Sequence, residues 1–440
     1  MSLNKVKNSI TARLIIIAIM TIVLLIPAIL IQNLVEERQE RRVETEIEIS
    51  DKWGASQTIS GPIVVVPILE QIKTDKTNKT IHYRNYAYFL PDDLQIEGKM
   101  DPQIRYRGIY EVALYSSLLQ FNGSFKIKKD LDAVNSYGKV LWDQAFLAIG
   151  LSDMQGINDL VKVKWADQNK TSIPGIEAKE LFQSGVNIPI DLSDNKSNYD
   201  FSFALNINGS KQLFFSPLGK ETNIKLESSW NNPSFSGAFL PKKREVTESG
   251  FSATWKILNL NRNYPQLWIG NQYKIENSAF GVELRLPVDE YQKTMRTTKY
   301  AIMFIALTFL TFFMIEVLNK KMLHPIQYLL IGFALLLFYT LLLSFSEHIG
   351  FQSSYIIATI SITGLITSYS KSILGKPIQM FTVLGTLTGL YSYLFIILQL
   401  QDYALIMGSI GLFFILAIVM FVTRKINWYS AIEIKQVSKV

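Results

Sequence analysis

The distribution of apolar residues limits this chain more than any other feature. One uninterrupted run lies near the start, and five more crowd into the last third. The first, Leu14–Ile31 (LIIIAIMTIVLLIPAILI), carries no charge, and a run of about 18 residues or more is long enough to cross a bilayer as a helix. A secretory signal has an apolar core of only about 7–15 residues, followed by small residues at the cleavage site. This run is longer and leads into bulky side chains, so it is predicted to stay attached as an anchor, with Pro27 kinking its far end. The other spans are predicted at Tyr300–Leu318, Ile326–Phe345, Gln352–Ser368, Ile378–Leu398 and Tyr403–Val422. The fourth of the six, QSSYIIATISITGLITS, is polar enough to need helical neighbours in order to insert.

Charge follows the same division. Between residues 33 and 299 there are 33 basic and 33 acidic side chains, so the formal net charge of +7 lies entirely outside that stretch. A nucleic-acid binder concentrates basic charge on its soluble part, and here that part is neutral. No nucleic-acid partner is expected. Lys and Arg in short flanking loops set membrane orientation. Lys5, Lys7 and Arg13 precede the first span, Lys320 and Lys321 follow the second, Lys371 and Lys376 follow the fourth, and Arg424 and Lys425 follow the sixth. The alternate loops, Ser346–Phe351 and Gln401–Asp402, carry only Glu347 and Asp402 among acids and no Lys or Arg. Arg296 and Lys299 dissent locally. The pattern places both termini in the cytoplasm and residues about 34–298 in the periplasm, with Trp428, Tyr429, Tyr300 and Tyr328 as interfacial anchors.

The segment Val35–Glu48 (VEERQERRVETEIE) mixes both charge signs and lacks Gly and Pro. It is predicted to continue the first helix as a solvated stalk, laced by i,i+4 pairs such as Glu37–Arg41. From Trp53 to Val288 the pattern becomes short alternating runs between turn residues. Phe201, Phe203, Leu205 and Ile207 alternate with polar or small residues, as do Ile224, Leu226 and Trp230, and Val282, Leu284 and Leu286. Asn208-Gly209 and Asn122-Gly123 offer hairpin turns. Gly61–Ile68 (GPIVVVPI) is bracketed by Pro62 and Pro67, which predicts a short strand with its prolines at the ends or on an edge. Leu141–Asp153 favours strand over helix. The expected fold class is a membrane α-helical protein with six spans plus an all-β exported domain of antiparallel sandwich or barrel type. The predicted domains are an anchor at 1–33, a charged stalk at 34–52, a periplasmic β-rich domain at 53–295, a five-helix bundle at 296–425 and a cytoplasmic tail at 426–440.

Candidate chemistry is sparse. The absence of cysteine excludes disulfides, thiolate nucleophiles and Cys-ligated metals. His82, His324 and His348 are too dispersed for a local metal motif. Glu347-His348, in SEHIGF, could orient an imidazole as a base, although adjacent residues commonly point apart. His324-Pro325 is predicted to stop one helix and start the next, and His82 to be structural. Glu316 is the one carboxylate inside the C-terminal spans, predicted to snorkel towards Lys320 at the cytoplasmic edge. Gly385, Gly389, Gly408 and Gly411 are predicted to serve close helix packing. The run Lys242-Lys243-Arg244, followed by Glu245 and Glu248, is predicted to be a solvated loop. No G-x-S-x-G, Walker A or G-x-G-x-x-G sequence occurs. No catalytic, cofactor-binding or metal residue is assigned.

The stretches SGPIVVVPI (Ser60–Ile68), SSWNNPSFSGAFLPKKREVTESGFSATW (Ser228–Trp255), TKYAIMFIALTF (Thr298–Phe309), LHPIQYLLIGFALLLFY (Leu323–Tyr339), SEHIGF (Ser346–Phe351) and FVTRKINWY (Phe421–Tyr429) resemble the CreD family of bacterial inner-membrane, cell-envelope-integrity proteins. They occur in order along nearly the whole chain. The resemblance implies a multi-pass inner-membrane protein under a two-component sensor–regulator system, which is a genetic rather than a physical partner. It also implies a link to envelope integrity and to tolerance of a DNase-type colicin. The family carries no catalytic residues to transfer. The expected role is therefore non-enzymatic: supporting or monitoring the envelope, with membrane lipids and an envelope protein or lipid as partners. A transporter or lipid-handling channel formed by the C-terminal bundle, or an envelope hydrolase, is the alternative.

Orientation is directly testable. Reporter fusions after residue 5, near 180, near 348, near 373 and at the C-terminus should read in, out, out, in and in. An inward reading at 180 would reverse the whole assignment.

Overall fold

The structure is a computed structural model and describes residues 10–73, 80–129, 134, 136–286, 290–319, 322–400 and 403–424. The flanking charges Lys5, Lys7, Lys320, Lys321, Asp402 and Lys425, together with Trp428, Tyr429 and the tail at 426–440, lie outside them. The chain divides into two compact units, one of residues 1–42 and 288–440, the other of residues 43–287.

Helix α1 (Ile10–Trp53) is one continuous helix that includes both the apolar run and the charged segment behind it, and its residues up to 42 belong to the helical unit. Within that segment, Arg41 donates to Glu37 at 2.5 Å, as the i,i+4 spacing predicts. A short helix, α2 (Glu290–Thr298), leads into α3 (Ala301–Asn319), α4 (Pro325–Ile349), α5 (Phe351–Leu374), α6 (Pro377–Gln399) and α7 (Ala404–Thr423). Helices α1 and α3–α6 are long and apolar enough to cross a membrane. The described apolar stretch of α7, Ile406–Phe421, is shorter. The helix itself runs over 20 residues, roughly 30 Å at 1.5 Å per residue. Among the described residues five helices qualify as crossing helices and α7 adds a shorter apolar stretch, where the hydropathy pattern predicts six spans. Exposed apolar side chains such as Ile360 on α5, Phe381 on α6 and Phe413 on α7 face outward, as a lipid-facing surface requires.

Helix ends follow their local chemistry. His324 caps α4: its Nδ1 accepts from the Ile326 N–H at 3.3 Å, and the Gln327 side chain accepts from the His324 N–H at 2.9 Å. With Pro325 at the first helical position, this is the predicted stop and restart. Gly375 closes α5 with a left-handed φ of 75°, where glycine carries no steric penalty.

The β unit is built on two sheets. The path of the first runs β14 (Pro233–Gly237), β18 (Phe280–Leu284), β12 (Gln212–Phe215), β1 (Gln57–Lys73), β6 (Phe146–Leu151), β10 (Gly185–Pro189) and β9 (Ile173–Pro174). Off it, β2 (Thr80–Phe89) pairs with β1 and with β17 (Leu267–Ile269), while β5 (Lys139–Val140) pairs with β1. The second runs β15 (Lys243–Thr247), β16 (Gly250–Leu258), β13 (Glu221–Ser228), β3 (Asp93–Arg107), β4 (Tyr110–Lys126), β11 (Asn198–Ser210), β7 (Lys162–Trp165) and β8 (Gln168–Thr171). One continuous apolar core joins residues of both sheets, among them Val64 and Ile149 of the first and Leu119 and Trp255 of the second. Phe235 of β14 meets Phe251 and Trp255 of β16 edge-on, at 5.6 and 5.8 Å between centroids. The β-rich sandwich expected from the alternation is present. Both sheets are mixed rather than purely antiparallel, because β1–β12 and β3–β13 are parallel pairs.

Three local expectations change. The GPIVVVPI run is the middle of the 17-residue β1, buried on both faces from Ile59 to Ile68. Its prolines are tolerated at irregularities. The β1–β6 register slips between Ser60 and Ile63, around Pro62. Pro67 falls between the end of β6 pairing at Val65 and the start of β5 pairing at Ile68, so no ladder donor is required of it. Asn122-Gly123 and Asn208-Gly209 are not turns: both lie inside the long β4–β11 ladder. A Cβ on Gly123 would sit 2.1 Å from the Asp93 carbonyl oxygen, and one on Gly209 would sit 2.3 Å from the Tyr115 hydroxyl. These glycines serve close approach, not chain reversal. Finally, Lys243 and Arg244 lie in an exposed edge strand, β15, rather than a loop; charge on an edge discourages pairing with other chains.

This assignment makes a distinct prediction for β4. Gly123→Ala should destabilise the full-length protein by about 1–3 kcal/mol, as overpacking does, whereas Asn122→Ala, at an exposed position, should be neutral. Thermal unfolding in detergent reads both, and equal effects would favour a turn.

Candidate functional site

Two networks of the helical unit engage carboxylates. The first is built on α1, α3 and α4. Glu316, in the last turn of α3, is only 4% exposed and pairs with the Arg13 guanidinium of α1. The Tyr328 hydroxyl, in the first turns of α4, donates to the other carboxylate oxygen at 3.0 Å. Phe309 and Phe312 of α3 present their rings edge-on to Tyr328, at 5.4 and 6.4 Å. Lys320, towards which the sequence predicts Glu316 to reach, lies outside the described residues; the partners shown are Arg13 and Tyr328. Glu316 is a buried anion neutralised by a cation near the start of α1. Such a charge is stable only when paired and hydrogen-bonded.

The second network lies at the far end of α4. Glu347 accepts a hydrogen bond from the Tyr291 hydroxyl of α2 at 3.0 Å and has the Arg38 Nε of α1 at 4.0 Å. Close by in sequence, the Glu290 carboxylate accepts from the Phe351 N–H at 3.2 Å, satisfying one of the orphan donors at the start of α5. His348 is exposed. Tyr328 and Glu347 are 19 residues apart on α4, or roughly 28 Å along the axis.

Arg13 and Arg38 mark the two ends of one seam on α1. Between them, Leu24, Ala28 and Val35 are buried, and Ile17, Met20 and Ile31 pack partly buried against the core of the helical unit. The spacing of three and four residues keeps all eight positions on one stripe. Gly332 of α4 lets Leu24 in, because a Cβ there would lie 2.2 Å from a Leu24 methyl. Gln32 adds a hydrogen bond to the Thr298 carbonyl at 3.3 Å. Of the four glycines noted on α6 and α7, only Gly411 is tightly packed, against the Tyr393 ring; a Cβ at Gly385, Gly389 or Gly408 would meet nothing within 4 Å.

The β unit holds a buried cation that no motif announces. Arg262 lies 4.3 Å from the centroid of the Tyr264 ring and donates to the carbonyls of Leu218 and Tyr264 and to the Gln266 side chain. Burial lowers its pKa to about 10, still well above neutrality, so the group is a charged strut. At the end of the first sheet, a cleft of about 490 Å³ is lined by side chains that include Phe146, Lys170, Glu177, Asn187 and Asp191. Among the described residues no group of three or more His, Asp or Glu side chains is placed to hold a metal ion.

A set of apolar helices long enough to cross a bilayer, joined to a two-sheet β unit, defines a multi-pass membrane protein with a β domain. The chain belongs to the CreD family: the family model described as "Inner membrane protein CreD" matches residues 9–429. It is 37% identical over 422 residues to the inner membrane protein CreD of Escherichia coli K12, covering 93% of this chain and 91% of that protein. Among solved structures, a putative nutrient binding protein from Legionella pneumophila aligns with 56% of this chain and 84% of its own. Its TM-score is 0.25 and its identity 8%, a likeness too slight to carry any argument.

The Arg13–Glu316 pair gives a prediction with a sign. Arg13→Gln leaves a buried carboxylate unpaired and should cost about 3–5 kcal/mol. Glu316→Gln should cost less, because Arg13 is partly exposed. The double change Arg13→Met with Glu316→Met should recover most of the loss. A double-mutant cycle of thermal unfolding in detergent measures the coupling, and simple additivity would rule the pair out.

Proposed function

We propose that this protein supports or monitors the bacterial cell envelope from the inner membrane without catalysing a reaction. In this reading both termini are cytoplasmic, residues about 34–298 are periplasmic, and the β domain meets an envelope protein or lipid. The observation that carries it is how three carboxylates of the helical unit are engaged. Glu316 is held by Arg13 and Tyr328, Glu347 by Tyr291 near Arg38, and Glu290 by the start of α5. Each ties one helix to another, as a strut does, whereas a general base needs a lone pair free to reach a substrate proton. The name of the E. coli relative supports the membrane assignment, and the distribution of Lys and Arg supports the orientation.

Complementation of an envelope-stress defect tests the non-catalytic reading. Glu347→Gln and His348→Asn keep shape and hydrogen bonding but cannot exchange a proton near neutral pH. Both should complement at the unmodified level when immunoblots show normal abundance in the membrane. Complete loss at normal abundance would make one of them a proton-transfer residue and overturn the proposal.

A further inference from the structure

Helix α5 is the least apolar of the crossing helices, and its polarity is arranged rather than scattered. Thr359, Thr363 and Thr367 are spaced one turn apart. All three hydroxyl oxygens are buried and have no hydrogen-bond partner among the described residues. Within this unit Thr294 and Thr308 share that state singly, but most hydroxyls do not. Thr21, Thr311, Thr382, Thr386 and Thr423 each donate to the carbonyl four residues back. So do Ser354, Ser361 and Ser370 of α5 itself. A hydroxyl on a membrane helix ordinarily takes that local carbonyl, and leaving one buried and unbonded costs about 1–3 kcal/mol.

The threonines are not alone. By a rise of 1.5 Å per residue they lie roughly 12, 18 and 24 Å from the α4–α5 turn. Tyr339, at about 15 Å on the adjacent antiparallel α4, has a hydroxyl without a partner, as has the amide oxygen of Gln379 in the first turn of α6. Thr363, Tyr339 and Gln379 are 6%, 1% and 4% exposed. No charged residue occurs from Phe351 to Ser370 or from Pro377 to Gln399. One turn before Thr359, the Tyr355 hydroxyl is already bonded to the Tyr391 carbonyl at 2.7 Å, and its ring contacts those of Phe338, Phe351 and Phe395.

We propose that α4, α5 and α6 enclose a narrow, uncharged hydrated track lined by Thr359, Thr363, Thr367, Tyr339 and Gln379, and that its ligand is water. Hydroxyl and amide groups both donate and accept, so a file of water satisfies each of them without any charge compensation. The aromatic cluster around Tyr355 closes the track towards the α4–α5 turn. This goes beyond a purely structural bundle, because it gives the membrane unit a polar interior.

The chain contains no cysteine, which makes the test clean. Thr359→Cys, Thr363→Cys and Thr367→Cys are made singly in the full-length protein, with Ile360→Cys as the outward-facing control. Membrane vesicles are treated with methanethiosulfonate ethylammonium, which reacts with hydrated thiolates. Modification at the three threonine positions should be at least about ten-fold faster than at Ile360. Rates within two-fold of that control at all three positions would mean a dry interior and overturn the proposal. Hydroxyl-radical footprinting of the unmodified protein in vesicles is the second measurement, independent of any variant's folding. Tyr339 should be oxidised despite its burial, and its protection to the level of Phe338 would count equally against the track.

Discussion

A carboxylate buried among phenylalanines cannot remain ionised without a cation beside it, and in this chain that cation comes from the opposite end of the sequence. The Glu316–Arg13 pair, with Tyr328 filling another acceptor site, fixes where α1 must lie against α3 and α4. From that point the seam of α1 follows: Leu24 seated over Gly332, Gln32 on the Thr298 carbonyl, and Arg38 near Glu347. The first helix thus meets the bundle along this one stripe, while most of its apolar run stays exposed. An apolar seam alone would leave its axial position weakly set, because lipid solvates leucine as well as a neighbouring helix does. Ionic contacts at both ends supply the register.

The β unit reaches order by a different route. Its strands are held by a core to which both sheets contribute, and its tolerances are set by close approach of backbone at Gly123 and Gly281 and of the Tyr115 side chain at Gly209. Arg262 joins the segments at Leu218 and Tyr264 through hydrogen bonds to their carbonyls. A chain without cysteine must secure its loops with such contacts.

Much of this was legible in the sequence, and the failures have physical causes. The alternation of Phe201, Phe203, Leu205 and Ile207 is reproduced as a buried face of β11, because period-two burial is a local signal. His324-Pro325 was equally readable, since a cap is made by neighbours. Asn-Gly pairs misled because the same dipeptide serves a turn or a tight crossing, and only the partner strand decides which. The prolines of β1 suggested an edge, while the gap that accommodates Pro67 is created by β5 and β6, more than 70 residues away. Glu316 was visible as an anomaly, but its partner lies 303 residues earlier. Nothing in the flanking sequence distinguishes Arg13 from an ordinary orientation signal. The polarity of α5 was legible as weak hydropathy; that its threonines avoid their own carbonyls was not.

That separation of 303 residues also has a consequence in time. Synthesis at about 5–20 residues per second leaves roughly 15–60 s between the emergence of Arg13 and that of Glu316. Throughout that interval α1 occupies the membrane with its guanidinium unmatched, held near the aqueous boundary by its own hydration, while the intervening β domain is made. The bundle therefore cannot close until α3 arrives. Charge neutralisation at Glu316 thus waits on chain length, and Arg13 stays unmatched until α3 has been made.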